Sequence, residues 1–193
     1  MTTLSAAYPT RPLTMSAASP RGGAAPILLP FKVQRQGKRP QWCWAAVTSS
    51  ISGYPNPPHD APVTMCKIAS NELGPNCCAT PVPGACDVQN TLDGPLGNIG
   101  RLRQPVITGY LGETAVRAEL SANLPLPIRV VWTKSGGGGH FCVIYGIRTV
   151  GTQLQYAVSD PIYGEASVAH AALIAGGYKA GGGAWSHSYV VKP

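Results

Sequence analysis

Acidic side chains are scarce in this chain. Eight Asp and Glu stand against 15 Lys and Arg, and charged residues make up only 12% of the 193 positions. So low a charge density argues against a charged helical bundle. The net charge of +7 is unevenly spread, with Lys32, Arg35, Lys38 and Arg39 close together. That strip lacks interleaved aromatics or a nucleic-acid-binding motif, so no nucleic-acid partner is expected. It predicts instead a solvated basic rim that could favour acidic substrates. No apolar run reaches the length of a bilayer span. The first thirty residues also lack the unbroken apolar stretch of a Sec signal, because Pro9, Pro12, Pro20, Pro26 and Pro30 interrupt every candidate. Residues 1–30 are therefore expected to form a disordered leader, either a non-Sec secretion address or a removable pro-segment. The remainder, 31–193, is long enough for one domain with a substantial core, and no internal repeat divides it.

Glycine (23) and proline (19) are plentiful, and six cysteines are present. Cys66, Cys77, Cys78 and Cys86 crowd together, but Cys77 and Cys78 are adjacent and no histidine lies among them. That spacing does not fit a two-plus-two zinc site, and no metal or organic cofactor is expected. One or two disulfides are predicted, the adjacent pair reaching out to Cys66 and Cys86. Sequence leaves all three pairings open.

The patterning changes character along the chain. Phe31 and Val33 suggest a short extended segment. Trp44, Val47 and Ile51 recur at helical spacing until Gly53-Tyr54-Pro55, and the small Ala45 and Ala46 would let that helix pack closely. A second helix should run from Met65 to Leu73, with Thr64 as its N-cap and Gly74 as its stop. A cross-linked loop follows over 75–94, then a weak helix near Leu96 to Arg103, and one capped by Thr114 with Val116 and Leu120 inward. Strands are expected at Ile128–Trp132, Phe141–Ile147, Leu154–Ser159 and Ser188–Val191. Helices first and strands later give an α+β fold with two lobes.

Cys43 is the candidate nucleophile. It follows the loop Gly37-Lys38-Arg39-Pro40 and precedes the helix-favouring Trp44-Ala45-Ala46-Val47, so it should open a helix, where a thiolate is favoured. A thiolate needs an imidazole partner. His140 opens the most strand-like run of the chain directly after four glycines, whereas His59, His170 and His187 have no comparable setting. Asp160 ends the next strand before Pro161, and an antiparallel pair turning near Gly151 would bring it level with His140 as the orienting carboxylate. Trp42 is a candidate for the substrate cleft, Trp44 for the core. Cys142 lies on the same strand face as His140 and is expected to be buried packing.

Gln36, Cys43-Trp44-Ala45-Ala46, Gly139-His140-Phe141 and Asp160-Pro161, in that order, resemble the papain-like cysteine peptidases, specifically the small bacterial group that includes type III effector proteases of plant pathogens. The resemblance covers about 31–193, and the Cys77-Cys78 and Cys86 segment is similar to secreted members. It implies a helical N-terminal lobe whose central helix starts at the nucleophile, an antiparallel β lobe, and hydrolysis of peptide bonds through Cys43, His140 and Asp160. It also implies a secreted protease, working as a monomer on a protein or peptide. Family members carry an oxyanion glutamine six residues before the nucleophile. Here Gly37 holds that position, so Gln36 is the expected donor and Gln41 its alternative. The same triad could serve a cell-wall amidase toxin, or a transglutaminase-like or deubiquitinating effector, and a disulfide-stabilised binding module without catalysis is the third reading. A tryptophan covers the orienting residue in the family, but the position of Trp185 in the chain does not match that place closely enough to carry the role over.

Overall fold

The computed structural model describes residues 24–55, 62–134 and 136–193. Most of the expected leader, and His59, lie outside them. Packed chain begins earlier than residue 31. Strand β1 (Ile27–Leu28) pairs antiparallel with the strand that carries His140, and Leu29 N–H adds a 2.9 Å bond to Tyr145 O.

Helix α1 (Cys43–Ser52) is the centre of the helical lobe. Nine of its ten residues are buried, including Thr48, Ser49 and Ser50. In a helix covered on all sides, buried hydroxyls turn to the helix's own carbonyls, as two of these three do, Ser49 Oγ having no partner among the described residues. Thr48 and Ser50 donate back to the carbonyls of Trp44 and Ala46, at 2.9 and 2.7 Å. Ala45 and Ala46, both without exposed surface, keep the side chains short enough for neighbours to close around it. Helix α2 (Met65–Leu73) starts as its sequence dictates. Thr64 Oγ1 accepts from Lys67 N–H, and the chain leaves through Gly74 at φ 91°. Between α2 and the next helix, disulfides Cys66–Cys78 and Cys77–Cys86 fasten the loop. Helix α3 spans Asp93–Asn98, so the helix expected near 96–103 lies earlier, ending ahead of Gly100 at φ 72°.

The sheet lobe uses β2 (Ile107–Thr108), β3 (Leu126–Trp132), β4 (Gly139–Val150), β5 (Gln153–Asp160), β6 (Gly164–Ala169) and β7 (Gly183–Ser188). Their order is β2-β7-β3-β4-β5-β6, antiparallel throughout, with β1 on β4. Helix α4 (Glu113–Ser121) takes Gly112 rather than Thr114 as N-cap, and α5 (His170–Ile174) was not foreseen. Nor was β6, whose Gly164-Glu165-Ala166-Ser167 lacks β-branched residues but pairs residue by residue with β5. The last strand ends at Ser188. Val190 and Val191 are buried beyond it, Val191 in an isolated bridge with Leu102 and Val190 O accepting from Arg103 N–H (2.9 Å), because hydrophobicity marks burial and not strand alone.

Candidate active site

Cys43 is the first residue of α1, so its N–H has no acceptor within the helix. It borders a cavity of about 940 Å³, together with His140, at the junction of helix and sheet. Three hydrogen bonds tie its neighbours to the disulfide-fastened loop. Trp42 Nε1 donates to Cys86 O (2.5 Å), Trp44 Nε1 to Val88 O (3.1 Å), and Gln41 N to Asp87 Oδ1 (3.1 Å). Trp42 is therefore not a cleft residue. Its indole needs an acceptor when buried, and it finds one behind the site in the loop carbonyls.

His140 stands at the start of β4, 3% exposed, and its Nε2 lies 2.8 Å from Asp160 Oδ2. The β4–β5 pairing explains the proximity. Val143 faces Ser159, which sets the end of β5 beside the start of β4. With Nε2 engaged, Nδ1 is the ring nitrogen left for Cys43, which lines the same cavity. Burial opposes a charged imidazolium here, but the hydrogen bonds and charges of Asp160 and Cys43 outweigh it and push the His140 pKa up to about 9. Asp160 moves the other way. Its burial disfavours the anion, yet the His140 bond, reinforced by Tyr163 N–H and Tyr178 O–H, holds the carboxyl below its ordinary 3.8.

Asp160 is 1% exposed and fully satisfied. Oδ1 accepts from Ile162 N (2.7 Å) and Tyr163 N (2.8 Å), and Oδ2 accepts from His140 and from Tyr178 O–H (2.7 Å). Tyr178 gives its one proton to Asp160, and the buried Cys142 thiol lies close enough to act on both groups. Burial pushes that thiol well above its ordinary range. Cys142 is thus buried as expected.

Several site residues had escaped sequence reading. Trp132 stacks on the His140 ring at 5.8 Å between centroids, and Tyr163 meets it edge-on at 6.0 Å. Trp185, by contrast, packs on Tyr110 and Tyr156 and donates to His187 O and Ser188 Oγ, away from His140. The second glycine run was the available signal. A Cβ at Gly181 or at Gly183 would come within 2.9 Å of the Trp132 ring, so those glycines make its bed. His187 borders the cavity, while His170 packs between Tyr110 and Tyr156. Nothing in the sequence marks Tyr178, since only the fold carries it to Asp160.

The two glutamines sit differently. Gln36 is buried, its Nε2 donating one proton to Arg39 O (2.7 Å) while Oε1 has no partner. Gln41 borders the cavity itself. Among the described residues, no group of three or more His, Cys, Asp or Glu could hold a metal, and no helix is long and apolar enough to cross a membrane.

The family model for the papain-like cysteine protease AvrRpt2 matches residues 26–173. Among solved structures, the chain is similar to one from work on limited antibody cross-reactivity between the mite allergens Blo t 1 and Der p 1. That superposition has a TM-score of 0.54 at 10% identity and covers 96% of this chain and 75% of the other. It reports a shared papain-like α+β fold. No curated protein matches the chain significantly.

Proposed function

This chain belongs to the papain-like cysteine protease AvrRpt2 family, and is a cysteine peptidase; on that premise we propose that Cys43, His140 and Asp160 perform the hydrolysis. The observation that carries the assignment is the 2.8 Å contact between buried His140 Nε2 and Asp160 Oδ2, with Cys43 and His140 lining one cavity. Cys43 Sγ, as thiolate, attacks the peptide carbonyl carbon. The electron pair moves to the carbonyl oxygen, and the Cys43 backbone N–H donates to it at the helix start. The imidazolium gives its Nδ1 proton to the leaving amine as the C–N bond breaks, leaving a thioester. His140, now neutral, takes a proton from water as it attacks the thioester; the C–S bond breaks, the carboxylic acid product leaves, and the thiolate–imidazolium pair is restored. Asp160 stays ionised and fixes the ring so that Nδ1 keeps facing sulfur.

Gln36 is the proposed second oxyanion donor. Its amide is buried and pinned by Arg39 O, and Nε2 keeps a second N–H, which is the pre-organisation such a donor needs. Every member of this machinery comes from one chain, which supports action as a monomer. The disulfides in 66–86 favour an oxidising compartment. With the family membership they support a secreted effector protease acting on a protein substrate, exported by a route other than Sec. Cleavage of casein should be lost on Cys43→Ala, by a factor on the order of 10⁴ or more, together with labelling by a thiol-directed epoxide. An alanine variant that cleaves casein normally would end this reading.

A further inference from the structure

Arg129 has no role in the reaction just described, yet its guanidinium borders the same cavity as Cys43 and His140. It lies on β3 opposite Phe141 of β4 and His187 of β7, at an irregularity between Arg129 and Val130. Such bulges re-aim a side chain. The guanidinium rests on Gly139, the residue immediately before His140. A Cβ there would come within 2.6 to 2.7 Å of Nε, Cζ and Nη2. This gives the run of four glycines a divided purpose. Gly136, Gly137 and Gly138 have positive φ and open space around them, whereas Gly139 is glycine because Arg129 occupies its side-chain volume.

A half-buried cation normally finds a counter-charge, because desolvation without one is costly. Arg129 makes one long bond, Nη1 to Ser186 Oγ at 3.4 Å, and pairs with no carboxylate among the described residues. Of its five N–H donors, the others have no protein acceptor among the described residues. Asp93 borders the cavity too, on α3, and both it and Arg129 act on His187, but the two do not form an ion pair. Burial first, then the Arg129 charge, lowers the His187 pKa, so that ring adds no positive charge near pH 7. The +7 net charge draws anions towards the protein, and the guanidinium gives one of them a forked seat beside the reacting centre.

We infer that Arg129 is a specificity residue that takes a carboxylate of the substrate, so that this protease cleaves best where an acidic group lies within a few residues of the scissile bond. The carboxylate belongs either to a Glu or Asp side chain or to the substrate's C-terminus. This rests on the assignment of Cys43 and His140 as the reacting pair. The test uses internally quenched peptides of one cleavable core, with Glu or Gln at each flanking position, made both as C-terminal amides and as free acids. Wild type should show kcat/KM at least about tenfold higher for Glu than Gln at one position, or for acid over amide, as a charge-assisted bond provides. The first pattern names a side-chain carboxylate and the second a terminal one. Arg129→Gln should bring that ratio close to one, Arg129→Lys should keep part of it, and Arg129→Glu should turn it below one. Each ratio is measured within one enzyme preparation, so partial misfolding does not alter it. A wild-type ratio near one everywhere, or a preference that survives Arg129→Gln, overturns the inference. Cleavage that persists in Cys43→Ala overturns the triad assignment instead.

Discussion

The two sides of the catalytic cleft are held by different forces. On the helical side, the nucleophile stands at the end of a buried helix whose entry is fastened to a loop closed by two disulfides, through Trp42, Trp44 and Gln41. On the sheet side, His140 is positioned by strand register and by a fully satisfied carboxylate, with no covalent link. The nucleophile's placement should therefore respond to thiol reductants, and the base's to pH and to the loss of single hydrogen bonds.

The sharpest way to separate the sides is Asp160→Asn. Without the carboxylate the imidazole loses its orientation and its charge partner, and kcat should fall on the order of a thousandfold. The alkaline limb of the kcat profile should also drop below pH 9, because the main influences raising the His140 pKa are removed. Stability follows the same sign. The His140 contribution is whole below its ordinary 6.5 and is lost as pH rises through about 9, while that of Asp160 is present above 3.8 and is lost as pH falls through its depressed value. A denaturant series across pH measures both edges, and the alkaline edge should vanish in the variant.

Next in size is the oxyanion side. Gln36→Ala should lower kcat on the order of a hundredfold, and Gln41→Ala clearly less. Stopped-time assays on the two variants in parallel decide between them, and the reverse order would move the role to Gln41.

Removing a staple should affect the helical side alone. Cys77→Ser with Cys86→Ser opens the shorter disulfide loop and should cost up to about 3 kcal/mol of stability. Turnover should fall roughly tenfold through misplacement of Cys43, with the alkaline limb still near pH 9. Thermal melts and pH profiles of the same preparation check both.

The smallest effect expected is the most diagnostic of the sheet side. Tyr178→Phe removes the O–H that donates to Asp160 Oδ2, the same oxygen that accepts from His140 Nε2. The carboxylate then binds the imidazolium more strongly, so the alkaline limb should move up while kcat falls only a few-fold, roughly the worth of one hydrogen bond to a charged group. An unmoved limb would reduce Tyr178 to packing.

The boundary positions of Cys43, His140 and Asp160 were legible in the sequence because each has a local signature: a helix start, a strand start after glycines, and a strand end before proline. Helix α2 was legible for the same reason, with Thr64 and Gly74 written at its ends. Trp42 was misread because its neighbour is Cys43 in sequence but Cys86 in space. His187 and Arg129 carry no local signature, since both reach the cavity only through the β3–β7 and β3–β4 pairings.

The sequence by itself determined which side chains the proposed chemistry draws on: a thiol, an imidazole and a carboxylate, in that order, at a helix start, a strand start and a strand end. Only the tertiary structure decided what surrounds that chemistry: Tyr178 beneath Asp160, Trp132 over His140 and Arg129 at the floor of the cleft. The physical reason is range. Caps, turns and periodicity act over a few residues and are written locally, whereas a hydrogen bond between positions 160 and 178, or a ring laid on the glycines at 181 and 183, exists only once the sheet has closed.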